Sequence, residues 1–292
     1  MRPTTKITIG IFLSIYVLSI LHIIYFSFTE RKNYPDLINH SIRFSQEHTM
    51  GLNLPPCRVI VFEAEQFDPE RACYYPLVSN ESGVFIHPAA TIDEDNKLYF
   101  PEELNDFISL QTKNDTLVVK IKMDGMAQRY GMMDVPLLKG RTTRSRHYVS
   151  VSGVNLYVHT SEVNIINKLG DIPIQVSRLE TDTIKIYSMG GVAIDSCKAK
   201  VIDPVVESRY DGRFTMTNSA TQALNLDLDK TRGWRTTNCN IEAINITGSG
   251  RNAGLNLYSN EYGTINWLPK NSDAELSIKI KGNPAKVIYQ ID

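Results

Sequence analysis

Short apolar-x-apolar triplets recur along the second half of the chain. In six triplets the central residue is asparagine, and the centres are Asn155, Asn164, Asn225, Asn245, Asn256 and Asn266. Five further triplets have another central residue, at 173, 185, 193, 215 and 279. Most successive centres of the whole series lie 8 to 13 residues apart, with Gly, Asn, Ser and Asp between them. Because side chains alternate across a strand, each triplet predicts a short β-strand that turns two apolar side chains to one face.

The repeated asparagines favour a parallel β-solenoid with coils of roughly 20 residues. Equivalent positions of successive coils lie about 4.8 Å apart, so stacked amides can hydrogen-bond along the axis. Asparagine is otherwise depleted in strands. A β-sandwich, with a strand every 8 to 12 residues or so, is the structural alternative. We predict an all-β chain with a solenoid over residues 123–292 and an N-terminal β cap over residues 57–122, where the strands follow a different rhythm.

The N-terminal region has a different pattern, a continuous apolar run from Ile7 to Phe28 without a charged residue. As a helix these residues would extend roughly 33 Å, which matches a bilayer core of about 30 Å. A cleaved signal peptide is the alternative, but the run is long for one and lacks a small-x-small cleavage site. We therefore predict a cytoplasmic tail at 1–6, a single transmembrane helix at 7–28 and a linker at 29–56. The C-terminal body is expected in the periplasm or another extracytoplasmic space.

The chain has 31 Lys and Arg and 32 Asp and Glu, for a net charge of −1. It therefore has no overall positive field that would attract a polyanion. No nucleic-acid partner is expected. The sequence has no phosphate-binding glycine loop, dinucleotide fingerprint, zinc-protease motif or nucleophile elbow. We predict no cofactor and no metal.

Four cysteines, Cys57, Cys73, Cys197 and Cys239, form no Cys-x-x-Cys pair. A zinc site is not expected, because no histidine lies at ligand spacing. In an oxidising compartment, bridges from Cys57 to Cys73 and from Cys197 to Cys239 are one interpretation. Four buried thiols are the other, and the residues alone do not choose between them.

Three segments carry a family resemblance: Arg58-Val59-Ile60-Val61-Phe62, Asp115-Thr116-Leu117-Val118-Val119 and the repeat Asp182-Thr183-Ile184-Lys185-Ile186-Tyr187-Ser188. The region from about 57 to 290 resembles the head GIN domain family of Bacteroidota, often labelled autotransporter adhesins. The resemblance implies a right-handed parallel β-helix. It carries no catalytic residues to this chain, and the few Ser-Gly-Ala turns and a polar insertion at 63–115 depart from the usual form.

Asp227 and Asp229 are the weak candidates for catalysis. On one strand their carboxylates would lie about 6.5–7 Å apart, a separation that an inverting glycosidase can use. A solvated strand face with a local ion pair is the simpler interpretation.

A basic run without an intervening acid comprises Lys139, Arg141, Arg144, Arg146 and His147. It is a candidate for docking an anionic glycan or an acidic partner, or else a solvated loop. Five aromatic residues are candidates for stacking on sugar rings if they are exposed, and packing at turns or in the core is the alternative for most of them: Tyr210, Trp234, Tyr258, Tyr262 and Trp267.

These patterns favour a non-enzymatic, membrane-anchored envelope protein whose solenoid surface binds a glycan or a protein, as an adhesin would. A carbohydrate-active β-helix enzyme that uses Asp227 and Asp229 is the first alternative. The second is a structural scaffold that assembles through its coils. The sequence leaves the oligomeric state open.

Overall fold

The protein is described by a computed structural model. It describes residues 16–22, 24–25, 41–42, 47–65, 73–76, 83–91, 93, 96–122, 146–149, 153–159, 161–170, 172–207, 213–231, 233–250, 253–258, 261–281 and 286–289. The chain divides into two compact units, Met1–Asn39 and His40–Asp292.

The first unit is described only at residues 16–22 and 24–25, all of them α-helical. The rest of the predicted span at 7–28 lies outside the described residues. Among the residues that the structure describes, no helix is long and apolar enough to cross a membrane, so the predicted single span lacks structural support.

The second unit is built almost entirely of strands. The first eight are β1 (Ser41–Ile42), β2 (Thr49–Asn53), β3 (Val59–Glu65), β4 (Cys73–Pro76), β5 (Val84–Pro88), β6 (Lys97–Pro101), β7 (Ile108–Lys113) and β8 (Thr116–Lys122). A 3-10 helix, Glu102–Phe107, separates β6 from β7. The next seven are β9 (Arg146–Val149), β10 (Val154–Val158), β11 (Glu162–Lys168), β12 (Ile174–Ser177), β13 (Glu180–Ser188), β14 (Val192–Asp195) and β15 (Lys198–Val206). The last eight are β16 (Phe214–Thr217), β17 (Ala220–Asp227), β18 (Trp234–Thr237), β19 (Asn240–Gly248), β20 (Ala253–Tyr258), β21 (Glu261–Pro269), β22 (Leu276–Lys281) and β23 (Lys286–Tyr289).

Two large sheets organise these strands. Sheet 1 has the order β18-β16-β14-β12-β5-β10-β6-β2, and sheet 2 has the order β23-β21-β19-β17-β15-β13-β11-β3-β8-β7. The strands β1, β9 and β4 form a small separate sheet, and β20 pairs with β22. The chain therefore alternates between two mainly parallel sheets, which is the architecture of a β-solenoid and not of the β-sandwich alternative.

Four successive coils, from β12/β13 to β18/β19, each supply one strand to both sheets. The pairing between coils is parallel and regular. The first residues of the four sheet 2 strands are direct register partners in series: Glu180, Lys198, Ala220 and Asn240. The predicted solenoid, with a repeat of about 20 residues, is confirmed over these coils.

A residue in the left-handed backbone conformation forms the corner between the two strands of each coil. Its φ is positive at four equivalent positions: Arg178 (58°), Ser196 (56°), Asn218 (49°) and Asn238 (55°). At the first three corners the backbone N–H donates to a carbonyl of the next coil at 3.0 to 3.1 Å. Asn tolerates this conformation better than most residues, which accounts for its use at two of the corners.

The core is a stack of apolar side chains between the two sheets. In sheet 2 the register aligns fully buried residues from five coils: Ile184, Ile202, Leu224, Ile244 and Ile265. The triplets behave as predicted, since Leu224 and Leu226 are buried while Asn225 between them is half-buried on the outer face.

The four sheet 2 strands of these coils bend after their third residue. In β15, Ala199 is buried, Lys200 and Val201 both point away from the core, and Ile202 is buried again. The third residue of each of these strands has no register partner on the neighbouring strand. These residues are Asp182, Lys200, Gln222 and Glu242. The bend repeats in register, so it produces a crease that runs along the solenoid.

Residues 57–122, predicted as a cap, supply strands to both large sheets. β3, β8 and β7 extend sheet 2, and β5 inserts between β10 and β12 of sheet 1. The predicted linker at 29–56 contains β1 and β2, and β2 pairs antiparallel with β6 in sheet 1.

Candidate functional site

Asp227 and Asp229, the predicted acid and base, share a single cation. The ammonium of Lys270 lies 2.6 Å from Oδ1 of Asp227 and 2.9 Å from Oδ2 of Asp229. The expectation that both carboxylates project from one strand is wrong, because β17 ends at Asp227 and Asp229 lies in the following turn. The Asp229 N–H donates to Oδ1 of Asp227 at 3.2 Å, a local bond that favours the turn over a longer strand.

The surroundings of Asp229 favour its charged form. Its Oδ1 accepts the backbone N–H and the hydroxyl of Ser249, both at 2.9 Å. The Ser249 N–H and then the Lys270 ammonium lower the pKa of Asp229 to about 2. In turn, Asp227 and then Asp229 hold the pKa of Lys270 above its usual value. A general acid needs a raised pKa, so this cluster is built as an ion pair that joins successive coils.

Three of the six predicted ladder asparagines form a hydrogen-bonded series. Asn245 donates its side-chain amide to Oδ1 of Asn225 at 2.9 Å, and Asn266 donates to Oδ1 of Asn245 at 2.8 Å. These residues are direct register partners on β17, β19 and β21. Each amide therefore bonds to the coil before it along the outer face of sheet 2.

The other three asparagines lie elsewhere. Asn164 on β11 is the register partner of Lys185, and Asn256 on β20 is that of Lys279, so neither has an asparagine opposite. Asn155 lies on sheet 1, where its Oδ1 is 3.1 Å from Nε2 of His87.

The bridge between Cys197 and Cys239 that was considered from sequence does not form. Cys197 and Cys239 occupy the same inward corner position two coils apart, and Ser219 occupies it in the coil between them. Two coil spacings, about 9.6 Å, exceed the reach of a disulfide. Both are thiols, and burial raises the pKa of each. Cys57 is likewise a thiol, and the side chain of Cys73 lies outside the described residues.

The structure describes only the last two residues of the predicted basic run. Lys139, Arg141 and Arg144 lie outside the described residues. Arg146 and His147 begin β9, where they are the register partners of Cys73 and Tyr74 on β4.

An open groove of about 570 Å³ runs along the crease of sheet 2. Its lining side chains come from the first three residues of β13, β15, β17 and β19, and one end reaches the segment around β10. The lining residues are Pro88, Val158, His159, Ser161, Leu179, Glu180, Thr181, Asp182, Lys198, Ala199, Lys200, Ala220, Thr221, Gln222, Asn240 and Glu242.

The groove is polar and carries both signs of charge. Lys200 Nζ lies 2.8 Å from Oδ1 of Asp182 on the preceding coil, and both side chains are exposed. On the floor, the buried Thr221 hydroxyl lies 3.3 Å from the backbone carbonyl oxygen of Lys200 and 3.0 Å from that of Ala223, and either can accept its single proton. Sequence reasoning missed the groove, because its lining residues come from coils about 20 positions apart and no single residue type repeats through all four coils.

Two of the predicted aromatic candidates are in the core. Tyr262 and Trp267 are buried, with the Tyr262 hydroxyl 2.9 Å from that of Thr236. Trp234 is half-buried, Tyr210 lies outside the described residues, and so does the side chain of Tyr258.

No cluster of three or more His, Cys, Asp or Glu side chains within the described ranges is placed to hold a metal ion.

No protein-family model matches the sequence, and no curated protein does either. Two solved structures are similar at low identity. A “putative adhesin” from Parabacteroides merdae aligns at 10% identity and a TM-score of 0.32, covering 85% of this chain and 96% of that one. A “putative lipid binding protein” from Parabacteroides distasonis aligns at 10% identity and a TM-score of 0.35, covering 85% and 99%. At these scores the likeness carries no information on ligand or activity.

Proposed function

We propose that this chain is a non-enzymatic envelope protein whose solenoid binds a glycan or protein partner along the groove of sheet 2. The observation that carries the proposal is the groove itself, which collects outward side chains from four stacked coils. Coils repeat every 4.8 Å or so, so the groove offers a ladder of equivalent contacts to an extended polymer. Membership of the head GIN domain family, and the right-handed sense that it implies, belong to the same proposal.

The side chains of the groove suit binding. Glu180, Lys198 and Asn240 stand in one row, and Asp182, Lys200 and Glu242 stand in the next. Charges of both signs and amides provide directional contacts to hydroxyl, amide and charged groups of a ligand. The carboxylates of Asp227 and Asp229 are both bound by the Lys270 ammonium, which weighs against the enzyme alternative.

The proposal includes a membrane anchor at 7–28, with the N-terminus in the cytoplasm and the body in the periplasm. The described helical residues support it, because large apolar side chains there are exposed, including Tyr16 at 68%, Leu18 at 64% and Leu21 at 55%. Exposed apolar side chains in such density are typical of a segment with a nonpolar environment. Alkaline extraction of membranes tests this: the full chain stays in the pellet, and a chain lacking residues 1–28 is released.

Charge reversal in the groove tests the binding function. The double variant Lys198→Glu with Lys200→Glu is compared with Lys185→Glu, which alters an exposed lysine beyond the bend. We expect the wild type and Lys185→Glu to bind at least one purified envelope fraction, lipopolysaccharide, capsular polysaccharide or solubilised envelope protein. The double variant should bind at least tenfold more weakly, and no reducing ends should be released. Equal binding by all three proteins, or hydrolysis of a glycan, would overturn the proposal.

A further inference from the structure

A cluster of four aromatic rings lies on the outer face of sheet 1. The ring cluster consists of Phe85 and His87 on β5, Tyr99 on β6 and Tyr157 on β10. All four side chains are half-buried, which is the exposure expected of outward-facing rings that pack against one another. The cluster exists because β5 inserts between β10 and β12 and so brings residues distant in sequence into adjacent strands.

The rings contact each other in a chain. The centroids of Phe85 and His87 are 6.4 Å apart with an interplanar angle of 5°. Those of His87 and Tyr157 are 5.3 Å apart, and those of Tyr157 and Tyr99 are 5.4 Å apart in an edge arrangement. The four rings thus form one continuous aromatic surface across three neighbouring strands.

Neighbouring groups hold two of these rings in place. Both nitrogens of His87 are engaged, Nδ1 with the Ser177 hydroxyl at 3.1 Å and Nε2 with Oδ1 of Asn155 at 3.1 Å. The Tyr99 ring lies over Gly51, where an added Cβ would stand 2.8 Å from Cε1 of the ring. Rings that are ordered before binding lose little conformational entropy when a ligand arrives.

The polar groups around the ring cluster carry no net excess of charge. Gln175 is the register partner of Phe85 and places an amide beside it. The Ser177 hydroxyl and the Asn155 amide hold His87, and the Asn155 amide also donates to the backbone carbonyl of Gly153 at 2.9 Å. The flanking charges have opposite signs: Lys97 is the partner of Tyr157 on one side, and Asp195 is the partner of Ser177 on the other. An anionic polymer would gain Lys97 but meet Asp195, so the charge pattern complements a neutral ligand.

We propose that the ring cluster binds a neutral glycan, with pyranose rings resting on the aromatic surface and a sugar hydroxyl bonded to the Gln175 amide. A pyranose ring presents C–H groups on its faces and hydroxyls around its rim, which matches apolar rings bordered by uncharged donors and acceptors. The proposal rests on the binding role given above, but it names a ligand class and a surface that do not depend on the groove.

The test is titration of the full chain with neutral hexasaccharides (cello-, malto-, xylo-, manno- and chito-oligosaccharides) by calorimetry. The variants are Tyr99→Ala and Tyr157→Ala, and the matched control is Tyr187→Ala on the outer face of sheet 2, where the hydroxyl donates to Glu207. We expect the wild type and Tyr187→Ala to bind at least one of the hexasaccharides with equal affinity. Tyr99→Ala and Tyr157→Ala should bind it at least tenfold more weakly, and raising the salt concentration should change the affinity less than twofold.

Three results would overturn the proposal. The first is undiminished binding by both ring variants, and the second is binding of anionic glycans alone with strong salt dependence. The third is no binding of any neutral hexasaccharide by the wild type. Thermal unfolding of each variant, together with Tyr99→Phe and Tyr157→Phe, distinguishes loss of the site from loss of the fold. The groove variant Lys198→Glu with Lys200→Glu should keep its affinity for the neutral sugar, so failure of this proposal and failure of the groove function give different results.

Discussion

The ammonium of Lys270 lies 2.9 Å from Oδ2 of Asp229, although 41 residues separate the two along the chain. The contact spans two coils, and Ser249 of the coil between them bonds to the other oxygen of the same carboxylate. The residues that suggested an enzyme active site therefore form a link between coils.

This link predicts a specific loss of stability in acid. The folded pKa of Asp229, about 2, lies below its usual value of 3.8. The ionised carboxylate therefore contributes stability that is complete above about pH 4 and is lost as the pH falls through about 2. Between these values, the free energy of unfolding of the wild type should fall more steeply than that of Asp229→Asn, as measured by urea denaturation. Asp273→Asn, in a nearby turn, should follow the wild type, whereas parallel curves for wild type and Asp229→Asn would contradict the link.

The asparagine series predicts unequal costs for its members. Asn245 takes part in two amide bonds and Asn225 in one, so Asn245→Ala should lower the free energy of unfolding more. At about 1 kcal/mol for each bond, we expect about 2 and about 1 kcal/mol. Asn164→Ala is the control, because its register partner is Lys185, and it should change stability by less than about 0.5 kcal/mol. Equal effects at all three positions, measured by urea denaturation, would show that the series does not act as a ladder.

Two glycines give a matched test of the crease. A Cβ added at Gly263, the third residue of β21, would overlap the carbonyl oxygen of Glu242 on β19, whereas one at Gly250 would meet nothing within 4 Å. Gly263→Ala should therefore lower the free energy of unfolding by about 1–3 kcal/mol, because β21 has to move from its partner. Gly250→Ala should have an effect within about 0.5 kcal/mol. Similar unfolding midpoints for the two variants would mean that the strands are not stacked this closely.

The sequence predicts the regular part of this fold well, because the regular part depends on buried positions. In Leu224-Asn225-Leu226, the alternation of burial and the repeat spacing follow from the need to fill a narrow core between two sheets. The same pattern locates the asparagine series, since equivalent positions of stacked coils must face each other.

The surfaces could not be predicted in the same way. Lys270 is a half-exposed residue outside any repeat, and nothing in its neighbourhood along the chain indicates Asp227 as its partner. The ring cluster depends on the insertion of β5 beside β10, a pairing of strands about 70 residues apart that leaves no periodic signal. Sequence reasoning named five other aromatic residues for stacking on sugars or for packing in the core, and of these Tyr262 and Trp267 fill the core.

Lysine labelling with an amine-reactive reagent, with and without the bound envelope fraction, tests the central claim most directly. Lys198 and Lys200 lie in the groove, whereas Lys185 is exposed on the same sheet beyond the bend. A ligand in the groove should slow the labelling of Lys198 and Lys200 by at least fivefold and leave the rate at Lys185 unchanged. Unchanged labelling at Lys198 and Lys200 under saturating ligand would contradict the claim that the solenoid binds its partner along this groove.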